Sequence, residues 1–402
     1  MTNQSSRTPV TIRPAGVGPG AASRTGPYPL CVVVPEVGVV TETFIHRDVH
    51  ELLPGGTAVV VDPPPSGASV RLGPAWDTGR CPVLAFAPVT GDPRPSADRV
   101  RAVQEFLDRY GVEVVLIEYL DVADRWFDVL IDRDLRVWLR GHGVDVSARL
   151  TQESWRAAYR RYAAAAGIVV PSRAAVTSLV GLGLPEDVVH VLSYGVDLPI
   201  AARSHPSGES VRCVAVGRLV PKKAPLTLLA AFRDAARRNP MLVLDIVGDG
   251  PLMADAQRFV AANGLADRVT LHGSQPHEPT LALIASSDVL VHHAVTAPDG
   301  DTEGLPLAVL EGMAAGLAVV STWHAGIPDV VVHGANGWLV REHDVGTMAS
   351  ALVTLAADPS RRADLGAAAR ATIERAHTHR HVQAQLLTLM GLAHHVAEDG
   401  LT

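Results

Sequence analysis

From residue 30 onward, short apolar runs alternate with longer stretches in which apolar residues recur every three or four positions. Runs at 30–34, 57–61, 83–87, 112–117, 135–139, 167–170 and 188–192 read as strands buried on both faces, and 43–53, 97–110 and 152–165 as amphipathic helices. The rhythm restarts at residue 211. Strands are expected at 211–216, 242–247, 269–272, 289–292 and 318–321, with helices at 224–237, 252–263, 280–286 and 304–315, and helical segments continue to about residue 397. Strands alternating with helices imply parallel sheets, because each parallel pairing needs a crossover that packs on a sheet face. The pattern therefore predicts an α/β chain of two doubly wound, Rossmann-like domains. Their carboxyl edges would face one another across a cleft, where ligands of such sheets bind.

Punctuation between the runs sets the boundaries. Residues 1–27 are rich in Pro, Gly, Ser and Thr, with no acidic residue and no apolar centre, which describes a disordered leader and not a secretory signal. Gly16, Gly18 and Gly20 lie there without a preceding strand, so a dinucleotide fingerprint at that place would be spurious. Residues 28–195 form the expected first domain, 196–210 a linker, 211–375 the second domain and 376–402 a closing helical segment. At 402 residues, 47% hydrophobic and 19% charged, the composition suits a globular chain of two ordinary cores. No apolar run reaches the roughly 18 residues that a membrane span needs.

Charge and cysteine content narrow the partners. A formal net charge of −7 argues against a general nucleic-acid binder. Cys31, Cys81 and Cys213 are widely spaced, form no metal pattern and fit a reducing cytoplasm. Of 35 basic residues only Lys222 and Lys223 are lysine, side by side just after Gly217 and Arg218. The pair is either chance in an arginine-biased chain or a site that needs a compact ammonium on a flexible stem.

The candidate chemistry centres on 303–311, where Glu303 precedes Gly304, Leu305 and Pro306 and Glu311 follows eight positions later. The spacing predicts Glu303 at a helix mouth and Glu311 about two turns inside the helix. A helix mouth suits phosphate, and nearby carboxylates suit sugar hydroxyls, so the segment points to a ligand carrying both, such as a nucleotide sugar. Gly217, Arg218, Lys222 and Lys223 fall at the same sheet edge and would compensate a diphosphate; the plainer reading is a solvated basic turn.

Together these residues resemble the retaining GT-B glycosyltransferases. Gly217-Arg218 with Lys223, the run Val247-Gly248-Asp249-Gly250-Pro251, and Glu303 and Glu311 carry the resemblance. The stretch from Asp299 to Pro306, Gly326-Ile327-Pro328, residues 41–45, and Gly141-His142-Gly143-Val144-Asp145 are similar to the colanic-acid and exopolysaccharide branch. The resemblance implies a GT-B fold, with Arg218 and Lys223 on the donor diphosphate. Glu303 would orient the sugar, Gly217 and the backbone from Gly304 through Leu305 and Pro306 would sit at the phosphates, and Glu311 would hold the ribose. It also implies that His142 faces the reacting sugar, that residues 35–42 line the acceptor side, and that the closing helical segment returns to the first domain. A UDP-sugar is the favoured donor and a GDP-sugar the other, the acceptor is an oligosaccharide, lipid-linked or part of a secondary metabolite, and no metal is needed. Ala224 departs from the pattern, where glycine often follows the lysine, and so does His292-His293-Ala294.

Other features have plainer readings. Asp299 and Asp301 imitate a metal-binding Asp-x-Asp, but that motif belongs to a single-sheet transferase fold, so a polar loop positioning Glu303 is expected. His377, His379 and His381 alternate in a loop or helix start, which does not aim them at one ion. Trp155, Tyr159 and Tyr162 among arginines describe a core-facing stripe, with peripheral contact at the inner membrane face as the lesser reading. Met253 occupies the third glycine position after Gly248 and Gly250, against a dehydrogenase. Two rivals to a transferase are a nucleotide-sugar epimerase of the same shape, for which no further acid/base group stands out, and a degenerate partner subunit, which the retained motif residues oppose.

Overall fold

The structure, a computed structural model, describes residues 10–13, 28–36, 43–63, 81–88, 94–199 and 210–397. The first sheet has eight strands, in the order Val10–Arg13, Val83–Phe86, Thr57–Val61, Leu30–Val34, Val114–Glu118, Arg136–Arg140, Gly167–Val170 and Val189–Val191. All pairs are parallel except the outermost, where Val10–Arg13 runs antiparallel to Val83–Phe86. That strand corrects the expectation of a wholly disordered leader: Val10-Thr11-Ile12 is a short β-prone run, and the exposed edge at Val83–Phe86 supplies its hydrogen bonds.

The second sheet is fully parallel, in the order Val269–Leu271, Leu242–Val247, Val211–Val216, Val289–Val291, Ala318–Thr322 and Trp338–Val340. Strand order reverses in each sheet between the strands that hold its centre. In the second sheet that point lies between Val211–Val216 and Val289–Val291, so the loops after those two strands open toward each other. These loops carry Gly217–Lys223 and Glu303. The candidate site thus sits at the topological switch point, placed there by connectivity.

Each sheet is covered on both faces, which accounts for the near-continuous apolar strands. Val33, Ile117, Leu139, Trp126 and Tyr162 pack on one face of the first sheet, and Leu30, Val32, Leu116 and Ile45 on the other. Val382, Leu386 and Leu387 from the helix His379–Leu389 join the second of these clusters, so the chain recrosses to the first domain after completing the second. It crosses beside the outgoing linker, where Val196 N–H donates to His377 O.

The helix Glu153–Tyr159 continues as a 3-10 turn through Arg160–Ala164. Its Tyr159 and Tyr162 are fully buried, and the Tyr162 hydroxyl donates to Leu120 O, so the aromatic stripe faces the core. His377 meets Ser193, His379 lies by Asp197 and His381 meets Thr378. Among the described residues no helix is long and apolar enough to cross a membrane.

Candidate active site

The turn after Val211–Val216 is built on close backbone packing. A Cβ on Gly248 would lie 2.0 Å from Gly217 O, so the two turns can stack only with glycine there. Pro221–Lys223 forms one 3-10 turn, and Ala224 then takes a left-handed conformation (φ 38°, ψ 52°) before the helix Pro225–Arg238. This gives the alanine departure a physical form: the backbone has the shape that glycine adopts without strain, and alanine is held in it.

The twin lysines divide their work. Lys222 is buried, and its ammonium donates to Asp301 Oδ1 and Thr302 O, each at 3.0 Å. Lys223 donates to Glu303 Oε2 at 2.9 Å, and Lys222 stands 4.0 Å from Glu303 Oε1. Burial alone would raise the Glu303 carboxyl, but Lys223 and then Lys222 outweigh it and bring it to about 2. Glu303 is therefore ionised at any working pH. Its Oε1 is buried and has no hydrogen-bond partner. Arg218 is exposed and forms no ion pair among the described residues.

The loop before Glu303 is tied from several sides. Glu303 N–H donates to His324 Nε2 at 3.1 Å, and the other ring nitrogen of His324 bonds Glu342 at 2.6 Å. With Nε2 accepting, the imidazole proton lies on Nδ1 and points at the carboxylate. Thr302 N–H donates to Ser147 Oγ of the first domain at 3.1 Å. A Cβ on Gly304 would fall 1.9 Å from His142 O, so only glycine permits the two domains to close at this point. Asp301 is held by Lys222 through its carboxylate, and its backbone N–H donates to Asp299 Oδ1 at 3.1 Å. Among the described residues no three His, Cys, Asp or Glu side chains converge as a metal site.

Two expectations need correction. The helix expected from Gly304 begins at Leu307 and ends at Ala314, with Pro306 as its cap. Glu303 consequently lies before the helix mouth in an extended loop, and Glu311 is about one turn inside. Proline sets this start, since the residue before it is driven out of helical geometry and Leu305 belongs to the loop. Glu311 also lies away from the lysines, in a separate cavity of about 290 Å³ lined by Phe44, Leu281, Ile284 and Leu307. Burial pushes its carboxyl up to about 7, with Arg47 opposing, and His277 Nδ1 is 3.9 Å away.

His142 has a buried partner on each side: the two ring nitrogens lie 2.7 Å from Glu118 Oε2 and 2.7 Å from the Tyr194 hydroxyl. Phe44 and Tyr119 enclose the ring, with centroids at 4.4 and 4.5 Å, and burial lowers its pKa to about 3. In this conformation a neutral His142 joins Tyr194, just before the linker, to Glu118 of the first sheet. Asp145 supports it from below, accepting from the backbone N–H groups of His142, Gly143 and Leu120. Sequence reasoning missed Glu118, Arg140, Asp48 and Tyr194, which form this buried polar cluster. Arg140 ion-pairs with Asp48 and lies over the Tyr194 ring. A charged residue closing an apolar strand, as Glu118 and Arg140 do, was the available sign.

Leu305 and Pro306 sit between the two carboxylates, and a Cβ on Gly217 would lie 3.3 Å from Lys223 Cε, so the lysine stem passes close to this glycine. The structure thus unites Gly217, Lys223, Glu303 and Gly304, adds Lys222 to them, and leaves Glu311 one cavity away. Of the acceptor loop expected over 35–42, residues 37–42 lie outside the described residues, as do most of the linker residues 200–209.

Residues 201–372 match the family described as Glycosyl transferases group 1. The chain is 32% identical over 239 residues to the amylovoran biosynthesis glycosyltransferase AmsK of Erwinia amylovora, a match covering 58% of each chain. It is 36% identical over 164 residues to a GDP-mannose-dependent phosphatidylinositol monomannoside mannosyltransferase of Mycolicibacterium smegmatis, covering 40% of this chain and 43% of that one. The chain therefore spans little more than half the length of the first of these relatives. A crystal structure of Anabaena HepE in complex with UDP superposes with a TM-score of 0.74 at 19% identity, over 90% of this chain and 99% of that one. This likeness is one of fold, and it is the two-domain GT-B arrangement that the motifs implied.

Proposed function

We propose that the chain, whose residues 201–372 match the group 1 glycosyl transferases, transfers a sugar from a nucleoside diphosphate to a hydroxyl of a saccharide. Transfer proceeds with retention at the anomeric carbon and without a metal. One observation carries the reading: Glu303 is ionised and buried, with a lysine on one oxygen and no hydrogen-bond partner on the other. A buried carboxylate oxygen without a donor is costly unless a ligand supplies one. Sugar hydroxyls are such donors.

In this mechanism the donor diphosphate draws Lys223 away from Glu303 and engages Arg218, which has no ion pair among the described residues. Lys222 stays with Asp301 and keeps the 299–303 loop in place, so Glu303 is freed without being displaced. The bond from the anomeric carbon to the diphosphate oxygen breaks and its electron pair leaves with the phosphate. The acceptor oxygen then bonds to the same face, and its proton passes to the departing phosphate oxygen. The chain supplies position and positive charge where the phosphate departs. Glu311 holds the ribose in the pocket beside the linker. Metal independence follows from Lys222, whose ammonium already neutralises the Asp301 carboxylate that a cation would need.

HepE with UDP bound supports a uridine donor, and the GDP-mannose-dependent relative makes guanosine the second base to try. The name of AmsK supports an exopolysaccharide or its lipid-linked precursor as acceptor. The test is incubation with UDP-glucose and with GDP-mannose in EDTA, with proton NMR of the product. Transfer with the donor's anomeric configuration is expected. An inverted product, or activity only with added divalent cation, would overturn the mechanism.

A further inference from the structure

A second cavity, of about 580 Å³, is lined by Glu303 and by neither Arg218 nor the two lysines. The first domain contributes Ser147, Leu150 and Ser178 to it, and the second contributes Glu303, Trp323 and Glu342. Its volume is ordinary for a small-ligand pocket. Its charge is not that of a phosphate site. Two carboxylates line it, Glu342 is already bonded to His324 and Thr296 N–H, and its arginine, Arg156, is paired with Glu153. An anion would be repelled there, whereas a neutral polyhydroxyl compound would meet Glu303 Oε1, the buried acceptor without a partner.

Trp323 adds an apolar face. It is 51% exposed, among the most exposed large apolar side chains of the described residues. Its backbone is fixed, with Trp323 N–H donating to Val340 O at 2.8 Å, and its ring packs near His333 at 6.1 Å. A tethered indole left in water at a cavity wall is a binding feature, since it offers a rigid apolar surface at little entropic cost. The C–H face of a pyranose ring fits it.

Resting on the transfer reading above, we propose that this cavity is the acceptor subsite, and that it takes an uncharged oligosaccharide stacked on Trp323 with a hydroxyl directed to Glu303. The sugar to be extended enters from this side while the diphosphate lies on the lysine side, so Glu303 stands at the junction of donor and acceptor. Trp323 sets affinity for the acceptor and makes no contact with the nucleotide.

The experiment follows nucleoside-diphosphate release from UDP-glucose and from GDP-mannose with a set of neutral gluco-, galacto- and manno-oligosaccharides. At least one should accelerate release in the parent protein. Trp323→Ala should raise the KM for that saccharide at least tenfold while kcat changes less than threefold, and Trp323→Phe should recover most of the affinity. Ser178→Trp, which fills the cavity from the opposite wall, should mimic Trp323→Ala. Calorimetry with UDP and with GDP separates the two proposals: nucleotide bound by the parent, by Trp323→Ala and by Ser178→Trp, with an unmoved saccharide KM, sinks the cavity assignment alone. A parent protein that no saccharide accelerates also sinks it, and a parent that binds neither UDP nor GDP sinks the transfer reading beneath it.

Discussion

Glu303 and Glu311 stand eight positions apart on one segment, yet their surroundings drive them in opposite directions. Glu303 lies among two ammonium groups and falls to about 2, whereas Glu311 sits in an apolar pocket beside the linker and rises to about 7. Burial acts on both; what differs is the partner. A charged carboxylate beside cations suits a group that must stay an acceptor next to a departing phosphate. A carboxylate near neutrality in a mostly apolar pocket suits one that ionises when a ligand's hydroxyls hydrogen-bond to it.

The largest expected effect lies on the Glu303 side. Glu303→Ala should lower turnover by about a thousandfold, the scale for removing a group that acts at a reacting centre, while UDP binding holds or tightens because Lys223 is released. Weakened UDP binding with normal turnover would erase the distinction between the two carboxylates. Next comes Lys222→Met, which takes the cation from the partly buried Asp301 and should cost about 2 kcal/mol of stability in urea denaturation. Lys223→Met should spare more of the stability but weaken UDP binding by about tenfold or more, as expected for a lost charge-assisted bond. Equal losses of stability in the two would show that the lysines do not divide their roles.

The pH dependence sharpens the contrast with a smaller effect. Glu303, lowered from 4.5 to about 2, contributes stability that is present above 4.5 and lost as pH falls toward 2. Glu311, raised from 4.5 to about 7, carries no ionisation cost below 4.5 and an increasing one as pH rises to 7. If ribose needs the ionised form, UDP affinity should rise with pH by up to about tenfold per unit below pH 7, because one proton is released on binding. Glu311→Gln should flatten that slope in calorimetry; an unchanged slope would place the titrating group elsewhere. The smallest effect belongs to Ala224→Gly, where relief of the left-handed backbone and the added freedom of the unfolded chain nearly cancel, within about 1 kcal/mol. A shift well beyond that in thermal denaturation would mean that the turn holds Ala224 by contacts and not by backbone shape.

Much of this architecture was legible along the chain. The runs at 30–34, 57–61, 167–170, 211–216 and 242–247 match observed strands residue for residue, because a parallel strand buried on both faces must be apolar throughout. The helix Ala97–Tyr110 was equally plain, opening at Ser96, whose side chain accepts from Arg99 N–H, and closing at Gly111. Trp338–Val340 escaped notice, since three residues at a sheet edge leave too short a pattern. Lys222 and Lys223 stood out by composition, but nothing in their order told which would hold the loop and which would meet Glu303. His142 stood out by motif, and its ring proved to be committed to Glu118 and Tyr194, residues 24 and 52 positions distant.

The sequence by itself determined two doubly wound domains, the sheet edge bearing the basic turn and the order of Glu303 and Glu311 along it. Periodicity, proline and glycine act locally, and their effects can be read locally. Only the tertiary structure decided that one glutamate meets two ammonium groups while the other meets an apolar wall, and that a tryptophan from the second domain faces serines of the first. Those juxtapositions depend on contacts between distant segments, and the charge state of a side chain follows its neighbours in space.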